Sequence, residues 1–235
     1  MRKKIYKNVE INSELFTDIC ISHQRNFLSM YIHRALEAKL GRNHFKSILE
    51  IGGNIGEHVT FVKNKFNLYI LSDIDNSEKI YTDKVNELLR NNKLEVVEFD
   101  CEKIPYKSQD FERVILTCVL PHLKNPEDSL IEARRVVAEG GLVSILIPCD
   151  PGILYRFLRN LTSLQRARRY GVLNEAKLFH AREHRNHFMA EKELIDFVFR
   201  DDKIDLKYFP FRIKSWNLNV FAVAQIRIQS SKYPR

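Results

Sequence analysis

The sequence predicts an α/β fold: a doubly wound, Rossmann-like sheet of seven mostly parallel strands with an antiparallel last strand. Three observations predict it. Strand-sized apolar runs alternate with amphipathic helical segments from about residue 47 to 148. The first run leads into a glycine turn, S-I-L-E-I-G-G-N-I-G over residues 47–56. Near the end, the runs 204–213 and 218–228 are joined by a loop too short for a crossover helix, so they should pair antiparallel.

The 235 residues suit one domain with an elaboration, and the 44% hydrophobic content is ample for a core. A formal net charge of +8 points to anionic partners without choosing among nucleic acid, membrane surface and phosphorylated small molecules. Cys20, Cys101, Cys118 and Cys149 are scattered without a C-x-x-C pair, the pattern of reduced thiols in a cytoplasmic protein. No apolar stretch reaches membrane-spanning length, and the basic N-terminus lacks the apolar region of a signal peptide.

Residues 1–41 read as an N-terminal helical cap. Asn12 or Ser13 can start a helix, and Leu15, Phe16, Ile19, Phe27, Met30, Tyr31 and Ala35 fall at helical spacing, in one or two helices ending near Gly41. The segment is either a cap packed on the sheet or a lid with Tyr6, His23, Arg25 and Arg34 facing inward. Residues 42–235 form the main domain. Its first strand, 47–51, runs into the glycine turn and then a helix through Phe66. Strand two, 68–72, ends in Asp73 and Asp75, and Asn76–Ser77 caps a helix to about Arg90. Strand three, 94–99, ends in Asp100, and strand four, 113–120, is a nearly unbroken apolar run of the kind buried on both faces. Asn125-Pro126-Glu127-Asp128 is a strong helix start. That helix runs to Gly140-Gly141, and strand five covers 142–148. A helical, Arg- and His-rich insertion, residues 150–188, follows, and a helix at 191–199 resumes the fold.

Ligands of such sheets lie at the carboxyl ends of the strands, where Glu50, Asp73 and Asp100 all fall. Asp73 stands 20 residues beyond Gly53, the spacing at which an acid accepts from ribose hydroxyls.

With these residues in register, the stretch from about Ser47 to Ile228 resembles the class I S-adenosylmethionine-dependent methyltransferases. Their first motif, E/D-x-G-x-G-x-G, appears here as Glu50-Ile51-Gly52-Gly53-Asn54-Ile55-Gly56, with Asn54 at the middle glycine. L-S-D-I-D-N-S resembles the ribose-binding segment, which would make Asp73 the ribose ligand with Asp75 as its substitute. D-C-E-K-I-P-Y resembles D-A-E-x-L-P-F, which implies Asp100 on the adenine amino group and the Cys101 N–H on a ring nitrogen. V-I-L-T-C-V-L-P-H-L and E-A-R-R-V-V-A-E-G-G resemble the strand-four and strand-five signature of the small-molecule branch. The resemblance implies S-adenosyl-L-methionine as cofactor, held by Glu50, Gly52, Gly53, Gly56, Asp73, Asp75, Asp100, Cys101 and Thr117.

For the acceptor, O-methylation benefits from a base that titrates near neutrality. His122, His184 and His187 are the candidates. His180 and His184 share a helical face at a spacing that suits zinc, but no Cys or acid ligand is evident beside them, so no metal is expected. Arg156, Arg159, Arg182 and Arg185 would bind a phosphorylated small acceptor such as a nucleotide-linked sugar. P-C-D-P-G-I-L-Y-R and A-R-E-H-R-N-H are similar to methyltransferases of bacterial surface-polysaccharide biosynthesis. The rival readings are an RNA or tRNA methyltransferase, N-methylation of another small metabolite, a non-catalytic relative, and a nicotinamide enzyme. No RNA-binding module or interleaved aromatic and basic platform is visible, so nucleic acid is not the expected partner. A homodimer is left open.

Overall fold

The computed structural model describes residues 27–38, 40, 44–76 and 79–229. Tyr6, His23 and Arg25, with the first half of the expected cap, lie outside the described residues. In chain order the elements are α1 (Phe27–Leu36), β1 (His44–Ile51), β2 (Lys65–Asp73), α2 (Asp83–Arg90), β3 (Leu94–Glu98), β4 (Phe111–Thr117), α3 (Pro126–Val136) and β5 (Val137–Pro148). Then come α4 (Ile153–Leu161), α5 (Ser163–Arg169), α6 (Leu173–Glu183), α7 (Phe188–Val198), β6 (Lys203–Phe209) and β7 (Phe221–Arg227). The seven strands form one sheet in the order β3-β2-β1-β4-β5-β7-β6, with β7 antiparallel to both neighbours. This is the doubly wound fold that the strand alternation and the terminal hairpin predict.

Alternation along the central strands builds two cores. Leu49, Ile51, Val114, Leu116, Ile145 and Ile147 face α3 and α7, while Ile48, Tyr69, Leu71, Ile115 and Leu146 face α1 and α2. The α1 face also holds a polar network. Arg113, fully buried in β4, donates to Glu37 Oε1 at 2.6 Å and Oε2 at 3.2 Å. Glu37 lies just past α1 and is also 3.0 Å from His58 Nε2, while Arg113 Nε donates to Ser144 Oγ at 3.1 Å. Burial would raise the Glu37 carboxyl, but Arg113 and His58 overcome it and bring it down to about 2. Arg34 of α1 is exposed and does not face inward.

Several boundaries differ from expectation. The helix expected after the glycine turn is a short 3-10 turn, His58–Phe61, and β2 begins at Lys65. Val59, Thr60 and Val62 disfavour a helix there, and the buried His58 side chain is held by Glu37. The next helix starts at Asp83 with Thr82 as its cap, because Asn76 donates its amide to Val97 O at 2.8 Å instead. α3 ends at Val136, before Gly140-Gly141, and β5 starts directly at Val137. The closing hairpin pairs only to Phe209 and resumes at Phe221. Pro210 has no N–H for the ladder, and Asn219 bridges the intervening loop through Phe211 N, Ile213 O and Ser215 O.

Candidate active site

The turn after β1 is held by packing and by hydrogen bonds. Gly52 has φ of +65°, and a Cβ there would come within 2.5 Å of Val119 Cγ2. At Gly53 a Cβ would meet Leu71 Cδ1 at 2.2 Å. Only glycine lets the turn lie this close to β2 and to the loop after β4. Gly56 ends the turn, with its N–H donating to Gly53 O at 2.8 Å. Asn54, where the methyltransferase pattern has glycine, adopts φ of 49° and donates its N–H to Asp73 Oδ2 at 3.0 Å. Left-handed backbone is tolerated better by Asn than by most residues. Asp73 also accepts from Ile74 N–H and pairs with Lys79 at 3.0 Å.

Glu50 lies beneath the turn, buried, and accepts from Tyr69 OH at 2.5 Å. Burial pushes its carboxyl up. Asp75 is exposed past the end of β2, and Asp100 is exposed past β3 with Oδ1 accepting from Glu102 N–H at 2.9 Å. Cys101 beside it has a buried thiol, pushed up by that burial. At the end of β4, Thr117 Oγ1 is buried without a hydrogen-bond partner among the described residues. The chain then passes through Cys118 at φ of 55° into the short 3-10 turn Leu120–His122.

A second group of side chains gathers beyond β5. Asp150 Oδ2 lies 2.8 Å from His180 Nε2 and 3.1 Å from His184 Nδ1. Burial alone would raise the Asp150 carboxyl, but the two imidazoles hold it well below the usual carboxylate range. His122 meets the His184 ring edge-on at 5.0 Å. It is brought down to about 4 by burial, reinforced by His184. The His184 loop is pinned to the His122 turn. Arg185 N–H donates to Pro121 O at 2.8 Å, and the Asn186 amide donates to Leu120 O and Leu123 O. Tyr155 stacks on His180 at 6.4 Å, and Glu191 lies inside α7 with both carboxyl oxygens buried and unpartnered among the described residues. Burial, reinforced by Asp150, pushes Glu191 up to about 8. Along the outer side runs a cleft of about 590 Å³ lined by Arg156, Arg159 and Lys177 with Ile153, Phe157, Asn160 and Leu164.

Residues 49–145 match the family model described as a methyltransferase domain. Over those residues the chain carries a methyltransferase domain. A curated relative, the chloroplastic 2-methyl-6-phytyl-1,4-hydroquinone methyltransferase 1 of Oryza sativa subsp. japonica, is 25% identical over 138 residues. That alignment covers 55% of this chain and 39% of the rice protein, so the match spans about two fifths of the relative's length. A solved methyltransferase from Thermotoga maritima, described as a possible histamine N-methyltransferase, has a TM-score of 0.58 at 17% identity, covering 91% of this chain and 93% of its own. A putative S-adenosylmethionine-dependent methyltransferase from Methanococcus maripaludis has a TM-score of 0.60 at 13% identity, covering 90% and 91%. These two structures show the shared fold.

S-adenosylmethionine is the cofactor of this methyltransferase domain. The residues present fit it chemically: two carboxylates stand at the ends of β2 and β3, and Thr117 has a buried hydroxyl without a hydrogen-bond partner among the described residues. Contrary to the expected helix start, backbone groups at the turn are ordered by Ser72 O and Asp73 rather than by a following helix. Of the acceptor-side candidates, His122 and His184 are brought together, and Arg156 and Arg159 share the cleft. His187 is exposed and makes no ring or hydrogen-bond contact with the histidine group among the described residues. Arg182 and Arg185 are exposed and do not line the cleft. The expectation that His180 and His184 lack an acid beside them is corrected, because Asp150 touches both. Asp150, Tyr155, Lys177 and Glu191 were missed as site residues. Asp150 was within reach of the same reasoning that found Asp73 and Asp100, since only Cys149 separates it from the carboxyl end of β5.

Proposed function

We propose that the methyltransferase transfers a methyl group to an oxygen of a small anionic acceptor, of the class of nucleotide-linked sugars used in surface-polysaccharide synthesis. The observation that carries this reading is the basic cleft, in which Arg159 Nε is buried without a hydrogen-bond partner among the described residues. A buried guanidinium N–H without an acceptor carries an uncompensated desolvation cost, and a phosphate oxygen supplies the charge-assisted bond that removes it. Arg156 and Lys177 add positive charge on the same cleft wall. Arg159 shares α4 with Tyr155, whose ring stacks on His180, so an acceptor held there is on the histidine side of the insertion.

Bound S-adenosylmethionine supplies a methyl group on a sulfonium, already primed for displacement. The chain's task is alignment of donor and acceptor. In this reading Asp73 accepts from the ribose, Asp100 and the Cys101 N–H receive the adenine, and Thr117 takes the methionine end, with Gly52, Gly53 and Gly56 shaping the floor. Glu50 supports that floor from below through Tyr69. The reacting hydroxyl is brought to His122 and His184, the latter fixed in orientation by Asp150. His187, Arg182 and Arg185 flank the entrance. The test is a panel of nucleotide sugars, sugar phosphates, neutral sugars and tRNA, with S-adenosylhomocysteine release as readout. Turnover confined to phosphorylated sugars is expected; turnover on tRNA, or preference for neutral acceptors, would reject the reading.

A further inference from the structure

We propose that Asp150, His180 and His184 form a binding site for one divalent first-row transition-metal cation on the acceptor side of the methyltransferase domain. The three donor atoms, one from each side chain, all lie within 4.8 Å of one another. Metal–nitrogen and metal–carboxylate bonds run about 2.0–2.2 Å, so neighbouring donors around one ion stand roughly 3 Å apart. The two distances to Asp150 Oδ2, 2.8 and 3.1 Å, match that separation. Two imidazoles and a carboxylate suit zinc(II), cobalt(II), iron(II) or manganese(II), and the absence of a thiolate from the set disfavours softer ions.

Each donor is fixed by its own backbone. Asp150 lies just past β5, after Cys149, with its carbonyl accepting from Phe188 N–H at 3.0 Å. His180 lies in the last turn of α6, and His184 follows that helix with its N–H on His180 O at 2.8 Å. Two ligands four residues apart present their rings to one point, and here the rings are 4.1 Å apart. The site is reachable: the His180 and His184 side chains are 21% and 18% exposed, while Asp150 is 7% exposed. An ion held by three protein donors keeps open positions on that side, as catalytic rather than structural sites do.

Arg159, whose positive charge acts on His180 and opposes a cation there, is the residue assigned above to the acceptor's phosphate, so its charge is offset when the acceptor is bound. Glu183 supplies negative charge from the end of α6. The role of the ion rests on the acceptor reading above: with His184 engaged as a ligand rather than a base, the ion would lower the pKa of the hydroxyl placed beside it, and His122 or water would take the proton. Ion binding itself does not depend on that reading.

The test is metal content of the full chain, stripped with chelator and then equilibrated with zinc(II) or cobalt(II). Wild type is expected to hold one equivalent. Asp150→Asn and His180→Gln are each expected to lose affinity by about tenfold or more. S-adenosylmethionine affinity in the same samples, expected to stay at the wild-type value, shows that the variants are folded. Should either variant fail to fold, the visible absorption of cobalt(II) in the wild type reports ligation directly. A stripped wild type that takes up no ion, or variants that bind it as tightly as wild type, would overturn the site. Binding of one ion with no phosphorylated acceptor methylated would support the site and count against the acceptor reading. Chelator-insensitive methylation by a chain that holds no ion would do the reverse.

Discussion

Asn54 donates its backbone N–H to Asp73 Oδ2 at 3.0 Å, which ties the turn after β1 to the end of β2. The residue that departs from the glycine pattern is therefore joined to the acid assigned to the ribose. Asp73 carries two duties: it orders the turn through Asn54 and Ile74, and it presents carboxylate oxygens at the strand end.

Asp73→Ala is expected to weaken S-adenosylmethionine binding by roughly 10- to 100-fold, the range for losing a charged hydrogen-bond acceptor. Asp100→Ala should weaken it comparably with little change in stability, because Asp100 is exposed and bonds only locally. Titration calorimetry on both variants gives the answer. Wild-type affinity in both would remove the assignment of these acids to the cofactor.

The sheet was legible because buried parallel strands must be apolar on both faces, and β4 carries that signature over residues 114–116 and β5 over residues 142–148 apart from Ser144. The acids after β2 and β3 were legible because the topology itself places ligands at strand ends. The segment from Gly56 to β2 was not legible, since its course is set by His58 reaching Glu37 across 21 positions of sequence, a contact no local pattern encodes. Arg113 misleads in the same way. It reads as a strand boundary, yet it sits fully buried in mid-sheet because an acid just past α1 neutralises it. The Asp150 partnership with His180 and His184 spans 30 and 34 positions and becomes visible only when the insertion folds back over β5.

Glu37→Ala removes the partner of a fully buried guanidinium and is expected to destabilise the fold by about 3–5 kcal/mol. The double variant Glu37→Leu with Arg113→Met should recover much of that loss, because it removes both charges and keeps volume in the core. Urea midpoints for the three proteins test this. A double variant no more stable than Glu37→Ala would mean that His58 and Ser144 depend on the pair for more than charge balance.

Glu191 predicts a pH dependence. Its carboxyl titrates near 8 in the folded chain against an ordinary value of 4.5, so between those limits the unfolded chain has lost a proton that the folded chain keeps. Stability therefore carries this group's full contribution below pH 4.5 and loses it as pH rises toward 8. Glu191→Gln removes the loss and should stabilise the protein at pH 7.5 by on the order of 2 kcal/mol, with little effect at pH 4.5. Denaturation across that range is the measurement, and parallel curves for the two proteins would show that Glu191 ionises freely in the folded state.

Arg159→Gln tests the basic cleft against the exposed arginines. The substitution leaves a polar side chain but removes the guanidinium Nε that is buried without a partner among the described residues. The KM for a phosphorylated acceptor should rise by roughly 10-fold or more, the scale of one charge-assisted hydrogen bond, while S-adenosylmethionine affinity is unchanged. Added salt should raise KM less steeply in the variant, since one of the charges that salt screens is gone. Arg182→Gln and Arg185→Gln lie outside the cleft lining and should shift KM far less. If the exposed pair matters more than Arg159, the acceptor enters from the His187 side of the insertion, and the unpartnered guanidinium is a feature of packing.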